Sequence, residues 1–241
     1  MITLESNAGS VDLPQTAEDV DETNPQPQVG SLYGQDSDEA LITTLKAQQS
    51  ITLNGTATGI RLSKWSKYSN DPYQALAEWV VEVASYVNGE QGNGYQLQHR
   101  NDSLPGAIES FGWQKSGGAK YEVSWDMIFR VGDAVMSATD TPVPSVNPNQ
   151  TATLGGVDLQ ELRSWREDKN QQFELTAVNF GEPETTLIQP DGGATRQITI
   201  TGRVSGSLQD RITFDENIQA LAGDRENPTY NSSFPGREIN V

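Results

Sequence analysis

Apolar residues alternate with polar ones most regularly between residues 121 and 129. Every second residue there is large and apolar, which is the period of a β-strand with one buried face. These residues are Tyr121, Val123, Trp125, Met127 and Phe129. Shorter runs of the same kind predict strands at "GYQLQHR" and at "GAIESFGWQ". We therefore expect a mostly antiparallel sheet in the middle of the chain.

A helical pattern precedes these strands. Apolar side chains recur there at intervals of four, three and four residues, which places them on one face of an α-helix. They are Leu76, Val80, Val83 and Val87. Asp71 is a typical N-cap, Pro72 suits the first helical position, and Gln74 stands where a capping box has Glu or Gln. The pattern predicts a capped helix whose apolar stripe packs on the sheet.

Several landmarks of the first half of the chain return in the second half at a nearly constant offset. The string "ITLNG" at 51–55 is matched by "ITITG" at 198–202, and each is followed by a second glycine, Gly59 and Gly206. "VDLP" at 11–14 is matched by "VDLQ" at 157–160, and "QALA" at 74–77 by "QALA" at 219–222. Three matches in the same order indicate that one building block occurs twice.

The recurrence suggests a division of the chain into four parts. They are an acidic extended arm or loops over 1–40, a first domain core over 41–137, a proline-rich linker over 138–151 and a second, incomplete domain over 152–241. The second copy has strand-like "QFELTAVNF" and "RQITITGRVSG" and a short helix over 215–222, but no counterpart of the last hairpin of the first copy. A sheet without those strands has an open edge, which needs a partner.

The predicted fold class is therefore α+β and mainly β. It comprises two antiparallel β-sandwich or barrel domains, each with one packed helix, of which the second is truncated.

The chain is strongly acidic, with 33 Asp and Glu against 16 Lys and Arg and a net charge of −17. Such a surface repels phosphate backbones, which argues against sequence-specific binding of nucleic acid. Abundant carboxylates, few lysines and no cysteine are typical of extreme halophiles, although an ordinary acidic mesophilic protein fits as well. The first residues lack the features of a signal peptide, and no stretch is apolar enough for a membrane span. We expect a soluble protein made in the cytoplasm.

The sequence has few candidates for chemistry. His99 is the only histidine, so neither a histidine metal cluster nor a serine–histidine–aspartate triad with a spare base is expected. The acidic runs at 17–22 and 35–40 lack the glycine and glutamate of an EF-hand loop. We therefore predict no catalytic residue, no cofactor and no metal site. A hydrolase with paired carboxylates is the last-ranked alternative.

Basic and aromatic residues interleave in "RLSKWSKYSND" at 61–71, in a chain that otherwise has few cations. We predict that this stretch docks on the acidic face of a neighbouring copy, because Trp, Tyr and Arg are good interface anchors. The candidate subunit-interface residues are Arg61, Lys64, Trp65, Lys67, Tyr68, Trp113 and Trp125. Binding of single-stranded nucleic acid and a solvated loop with one packed tryptophan are the alternatives.

The order of elements resembles the tail-tube fold of tailed viruses and contractile injection systems. The resemblance runs from "ITLNG" through "DPYQALAEWVVEVA" and "LPGAIESFGWQ" to "YEVSWDMIFRV". Tail-tube, distal-tail and baseplate-hub proteins share this fold. The resemblance implies a structural protein of the virion, without enzymatic activity, that forms a hexameric ring or a pseudo-six-fold trimer around a lumen.

Combined with the composition, the resemblance favours a tail component of a virus that infects a halophilic archaeon. It would be assembled in the host cytoplasm, would contact neighbouring tail proteins and would let DNA pass without specific binding. The alternative is a β-sandwich binding module of a halophile, an adhesin or carbohydrate-binding domain that uses Trp65 or Trp113.

Overall fold

The computed structural model describes most of the chain, and everything below concerns the residues it describes. They are residues 2–6, 9–14, 16–23, 48–87, 95–99, 102–116, 118–134, 145–170, 173–178, 185–190, 195–223 and 228–240. Of residues 16–23, 48–49, 99, 133–134, 173–178, 185–190 and 240 we describe the backbone only.

Sixteen strands and three helices lie in these ranges. The strands are β1 (Ile2–Ser6), β2 (Gly9–Leu13), β3 (Thr16–Thr23), β4 (Gln48–Thr58), β5 (Tyr95–His99), β6 (Asp102–Ser116), β7 (Glu122–Val131), β8 (Asp133–Ala134), β9 (Thr153–Leu154), β10 (Val157–Asp158), β11 (Leu162–Asn170), β12 (Phe173–Val178), β13 (Thr185–Pro190), β14 (Thr195–Gly202), β15 (Thr229–Asn231) and β16 (Glu238–Asn240). The helices are α1 (Gly59–Leu62), α2 (Pro72–Ser85) and α3 (Leu208–Gly223). The prediction of a mainly β, α+β fold with antiparallel sheets is confirmed.

Nine of the strands form one antiparallel sheet. Seven follow the order β2-β1-β5-β6-β7-β4-β3, and β11 and β14 extend it from β6. The long strand β6 makes this branching possible, because residues 102–106 pair with β5 and residues 110–116 pair with β11. Strand β7 occupies the opposite edge of β6, so β5 and β11 share the other edge. Two smaller sheets, β10-β9-β15-β16 and β12-β13-β8, complete the described strands.

Helix α2 packs against the inner face of this sheet. The side chain of Asp71 accepts hydrogen bonds from the backbone N–H groups of Tyr73 (3.0 Å) and Gln74 (2.8 Å), so the predicted N-cap is confirmed. The predicted capping box does not close, because the amide of Gln74 donates instead to Glu78 Oε1 and to the carbonyl of Val146. The four residues of the predicted apolar stripe, Leu76, Val80, Val83 and Val87, have no exposed surface.

A glycine joins β4 to α1 because the chain passes very close to the first turn of α2. A Cβ atom on Gly59 would lie 1.9 Å from the carbonyl oxygen of Pro72. The backbone N–H of Gly59 donates to the carbonyl of Tyr121 at 2.8 Å, which continues the β4–β7 ladder by one bond. Residues Gly59–Leu62 form the short helix α1.

The two predicted domains share one sheet and one core. Strand β11 from the second part of the chain pairs with β6 of the first over seven residues, from Ser164 to Asn170. Trp165 and Phe234 belong to the same apolar cluster as α2 and β7. Of the predicted linker, residues 145–150 are described, and their backbone is bound to the C-terminal segment by the bond from Asn147 N–H to the carbonyl of Gly236 (2.7 Å).

Two further expectations differ from the structure. Residues 2–23, predicted as an arm or loops, form β1, β2 and β3, because Leu4, Val11 and Leu13 are buried in the core. Residues 24–47 lie outside the described residues.

Helix α3, which corresponds to the helix predicted for the second copy, begins at residue 208 rather than 215. None of its residues is buried, whereas the sequence predicts a packed helix. Its apolar side chains are divided between two sides of the helix, and the side with Phe214, Ile218 and Leu221 is only half-buried.

The shared core gives a testable expectation. Phe234 is 1% exposed and its ring contacts those of Tyr73 and Trp113, with centroid distances of 5.4 and 5.5 Å. Phe234→Ala should lower the free energy of unfolding by about 3–5 kcal/mol. In urea denaturation followed by tryptophan fluorescence, the variant should unfold in one transition at a lower midpoint. The control Thr213→Ala, at an exposed side chain of α3, should change little. A second transition, or a loss no larger than the control's, would contradict a common core.

Candidate assembly surfaces

The outer face of the nine-stranded sheet is polar. Side chains that alternate away from the core on β4, β6, β7, β11 and β14 are mainly hydroxyl, amide and carboxylate groups. They include Thr52, Asn54, Thr56, Ser110, Gln114, Ser124, Asp126, Ser164, Arg166, Asp168, Gln197 and Thr199. Ile128, half-buried, is the apolar exception among the outward positions of β7. No described helix covers this face, and its side chains are exposed or half-buried, so the described part of it is a polar wall.

An arginine and two aspartates cross the middle of this face. Arg166 donates to both oxygens of Asp168 (2.8 and 2.6 Å), and its Nη2 lies 3.8 Å from Asp126 Oδ1. Gly112 stands between the two aspartates in register, and a Cβ on it would lie 2.6 Å from Asp168 Oδ1. Burial raises the pKa of Asp126, Arg166 opposes that rise, and Asp168 adds to it. One guanidinium thus binds Asp168 and partly offsets the charge of Asp126, where the two carboxylates meet over a glycine.

A cavity at the end of the β6–β7 hairpin concentrates positive charge. We call it the hairpin pocket; it has a volume of about 660 Å³ and is lined by Thr58, Ile60, Arg61, Lys64, Gly118, Ala119, Lys120, Tyr121 and Glu122. Three of these residues are cations and one is an anion. Ile60 is 56% exposed and Tyr121 36%. The pocket therefore combines positive charge with exposed apolar surface in a chain of net charge −17.

The buried side chain of Lys115 binds the turn of the β6–β7 hairpin next to the pocket. Its ammonium group donates to the carbonyls of Ala119 (2.7 Å) and Lys120 (2.6 Å), which fixes the hairpin turn. It also lies over the rings of Tyr73 and Phe234, 5.2 and 5.0 Å from the centroids, a cation–π arrangement. Lys115 is only 2% exposed, and burial lowers its pKa to about 8. Glu122 opposes that lowering and Lys120 adds to it.

The structure divides the predicted basic-aromatic stretch into outward and inward residues. Arg61 and Lys64 are exposed and line the hairpin pocket. Trp65 is half-buried against the core, and its ring lies 6.0 Å from that of Tyr68.

Tyr68 and Lys67 are both bound to helix α2. The Tyr68 hydroxyl donates to Glu82 Oε2 at 2.7 Å, and burial together with Glu82 raises the pKa of Tyr68. Lys67 is exposed, and its ammonium group pairs with Glu82 and donates to the carbonyl of Ser10. These two residues hold the loop in place.

Trp113 and Trp125 take a different place from the one predicted. They are paired across β6 and β7, and each is 2% exposed because both alternate onto the inner face of the sheet. We assign both indoles to the core of this chain rather than to a contact surface. The interface residues predicted from the sequence do not include Ile60, Lys120 or Tyr121. The exposed Lys120 and Tyr121 nevertheless follow soon after a glycine turn.

On the far flank of the sheet, β14 pairs with β11 alone among the described strands. Its inward side chains Ile198 and Ile200 are half-buried and line a groove of about 370 Å³ together with Leu154, Leu159, Arg196, Tyr230 and Ile239. No described helix covers these isoleucines as α2 covers β4. Among the described strands β14 is thus an open edge; the sequence predicts an open edge in the second part of the chain but does not assign it to a strand.

Below that groove, strand β11 carries charges into the interior. Glu167 is 3% exposed and pairs with Arg237 and, at 3.2 Å, with Arg196. Lys169, also 3% exposed, donates to the carbonyls of Ala84 (3.1 Å) and Val87 (3.3 Å) at the end of α2. The carbonyl groups at a helix C-terminus lack intrahelical partners, and a cation there is favourable.

The remaining candidates for chemistry fall mostly on side chains that the structure does not describe. No three His, Asp or Glu side chains there are grouped closely enough to hold a metal ion. His99 lies in β5 and the acidic run 17–22 in β3, with side chains outside the description, and the run 35–40 lies outside it entirely. Among the described helices none is both long and apolar enough to cross a membrane.

The lowered pKa of Lys115 predicts how stability depends on pH. Between about pH 8 and 10.5 the unfolded chain keeps a proton on this lysine that the folded chain has lost, so its contribution to stability rises with pH across that window. Lys115→Met should remove this rise, whereas Lys120→Met, at an exposed position, should retain it. Free energies of unfolding measured from pH 8 to 10 check this; an unchanged slope in Lys115→Met would contradict it.

Comparison with known proteins adds no family to these observations. No family model matches the chain, and no curated protein matches its sequence. A function must therefore be inferred from the surfaces themselves.

Proposed function

We propose that this chain is a structural subunit of a viral tail, which oligomerises into a ring around a lumen through which DNA passes. The ring would be a tail-tube disc, an adaptor between tube and baseplate, or a distal tail ring. The observation that carries the proposal is the nine-stranded sheet. It has one face covered by α2, a polar opposite face, and three strands that each pair with a single neighbour among the described strands: β2, and the two flank edges β3 and β14.

The two edges complement each other. At one flank β14 pairs only with β11, and at the other β3 pairs only with β4, within the described residues. Open edges in soluble proteins are usually blunted, covered or paired with another chain. If β14 of one copy pairs with β3 of the next, the sheets join into a continuous band. A closed band of six such sheets, or of three chains with pseudo-six-fold symmetry, encloses a lumen.

The polar face suits the wall of a conduit for DNA. The arginines that alternate onto it are paired with carboxylates: Arg130 Nε lies 2.6 Å from Glu109 Oε2, and Arg166 binds Asp168 in two bonds. Cations that are neutralised in this way offer little to a phosphate backbone, whose binding depends on the release of counterions by unpaired Lys and Arg. A wall of hydroxyl, amide and carboxylate groups would let the genome slide without holding it.

The net charge of −17 supports assembly of the ring in concentrated salt. Copies that each carry this charge repel one another, and salt screens the repulsion. A ring of such subunits is therefore favoured in concentrated salt, which fits a virus of a halophilic archaeon. In this proposal the protein assembles in the host cytoplasm, resides in the virion beside other tail proteins, and has no catalytic activity.

The alternative, a β-sandwich binding module of a halophile, has less support. It depends on exposed aromatic residues, yet Trp113 is 2% exposed and Trp65 is half-buried against the core. The exposed aromatic residue of the hairpin pocket is Tyr121. A glycan array with the wild type and a Tyr121→Ala variant addresses this function directly.

The first prediction of the tail proposal concerns mass. In molar salt the protein should form discrete particles of three or six times 26.3 kDa, the mass of the chain. Lowering the salt should dissociate them, because repulsion between copies is then less screened. Mass photometry over a salt series measures both. A particle that stays at the monomer mass at every salt concentration would rule the proposal out.

The second prediction concerns the sheet edge. Lysines on an edge strand oppose pairing with another strand, so Thr199→Lys combined with Thr201→Lys on β14 should prevent assembly without unfolding the chain. The matched control is Gln114→Lys with Ser124→Lys, on exposed positions of the same face in the central strands β6 and β7. Its particles should keep the wild-type mass. Equal assembly of both double variants would exclude β14 as the joining edge.

A further inference from the structure

The large apolar side chains that stay exposed fall on two surfaces. Among the described residues they are Ile60 (56%), Tyr121 (36%), Leu208 (71%) and Ile212 (41%). The first two line the hairpin pocket, and the other two lie on α3. Exposed apolar surface of this kind marks sites of contact with a partner. Because all four side chains are exposed in the same chain, neither surface covers the other within one copy.

Helix α3 has an inner and an outer side. Phe214, Ile218 and Leu221 are half-buried, and Leu221 lies against Gly155, so this side faces the chain. At 100° per residue the opposite side carries a second group. We call it the α3 outer face; it comprises Leu208, Ile212, Asp215, Glu216 and Gln219. The outer face thus has two exposed apolar side chains flanked by two carboxylates.

The helix is well formed although it is not buried. Ser207 and Asp210 bond reciprocally at its start: the Ser207 N–H and hydroxyl donate to Asp210 Oδ2 (both 2.8 Å), and the Asp210 N–H donates to Ser207 Oγ (3.2 Å). This is a capping box, which fixes the first turn. Within the helix the Gln219 amide donates to Asp215 Oδ2 at 2.8 Å. A helix held by its own caps presents a defined outer surface.

The two surfaces are complementary in charge and in character. The hairpin pocket has Arg61, Lys64 and Lys120 around Ile60 and Tyr121, and the α3 outer face has Asp215 and Glu216 beside its apolar pair. Within the described residues, none of the three pocket cations takes part in an ion pair. Copies of net charge −17 repel one another over most of their surface. A positive pocket, in contrast, attracts an acidic surface of another copy.

We infer that the hairpin pocket of one copy receives the α3 outer face of the next copy. The inference rests on the proposed ring and names the contact that fixes one subunit on its neighbour. Leu208 and Ile212 enter the pocket beside Ile60 and Tyr121. Asp215 and Glu216 then meet the lysines and the arginine of the rim.

The direction of the strands brings the two surfaces to the same place. Across the antiparallel order β14-β11-β6-β7-β4-β3, strands β14, β6 and β4 run one way and the others run the opposite way. Helix α3 follows the end of β14, and the pocket lies at the ends of β4 and β6, so both are at the same end of the sheet. When β14 of one copy pairs antiparallel with β3 of the next, α3 arrives about 10 Å from β4, two strand spacings away.

Among the described residues, the pairing of β3 with β4 begins at Thr16 opposite Gly55, three residues before β4 ends at Thr58. The contact is head-to-tail, because each copy offers a pocket on one flank and a helix on the other. Contacts of this type generate rings when the rotation closes.

Mixing two defective variants tests this contact. The pocket variant carries Ile60→Asp and Lys64→Glu, and the helix variant carries Leu208→Asp and Ile212→Asp. Each alone should stay at 26.3 kDa. Mixed in equal amounts they should form dimers of twice that mass and nothing larger, because one intact helix and one intact pocket remain. Native mass spectrometry and mass photometry, at the salt concentration where the wild type assembles, give the stoichiometry.

The matched control is Thr213→Asp with Asn217→Asp, which adds the same charge to exposed positions elsewhere on α3. It should assemble like the wild type. Circular dichroism and tryptophan fluorescence check that all variants are folded. Wild-type-like assembly of the pocket or helix variant alone, or an absence of mixed dimers, overturns this contact while the ring itself stands. A wild type that stays monomeric at every salt concentration defeats the proposed function as well.

Discussion

The pairing of β11 with the second half of β6 is the constraint on which the rest of the structure depends. It brings Trp165, Glu167 and Lys169 onto the inner face of the sheet. Trp165 adds to the apolar core, and Lys169 binds the carbonyl groups at the end of α2. Glu167 binds Arg237 and so draws in the C-terminal segment that carries Phe234. One strand register thereby unites segments far apart in sequence.

Buried charge gives this register its specificity. A one-residue slip of β11 would turn Glu167 and Lys169 outward and bring Arg166 and Asp168 into the core. A buried charge without its partner is strongly destabilising, so the alternative register is disfavoured even though a buried pair adds little net stability. The acidic surface and the paired interior thus have separate roles, since the first governs contacts between copies and the second governs the fold.

Regular apolar patterns made much of the first half predictable. The period-two run that ends at Phe129 identified β7, and the stripe from Leu76 to Val87 identified α2 with its cap at Asp71. The sequence "LRSWREDKN" of β11 did not read as a strand, because two of its three inward residues are charged and their partners are distant in the chain. Likewise, the pairing of Trp113 with Trp125 on the inner face depends on register, which composition does not reveal. The sequence proposed Arg61 and Lys64 as interface residues but predicted no pocket. The hairpin pocket also includes Thr58 and Ile60, next to them in sequence, and residues 118–122 of a turn that only the folded sheet brings near.

The long reach of these contacts has a consequence for biosynthesis. Lys169 binds a carbonyl 85 residues earlier, and Arg237 binds Glu167 across 70 residues. Contacts so far apart in sequence form slowly, because long loops must close before they are stabilised. While the chain emerges from the ribosome, α2 and the β6–β7 hairpin are made well before the residues that complete their surroundings. The core is complete only when residue 234 has been translated, so the fold described above cannot close before that point.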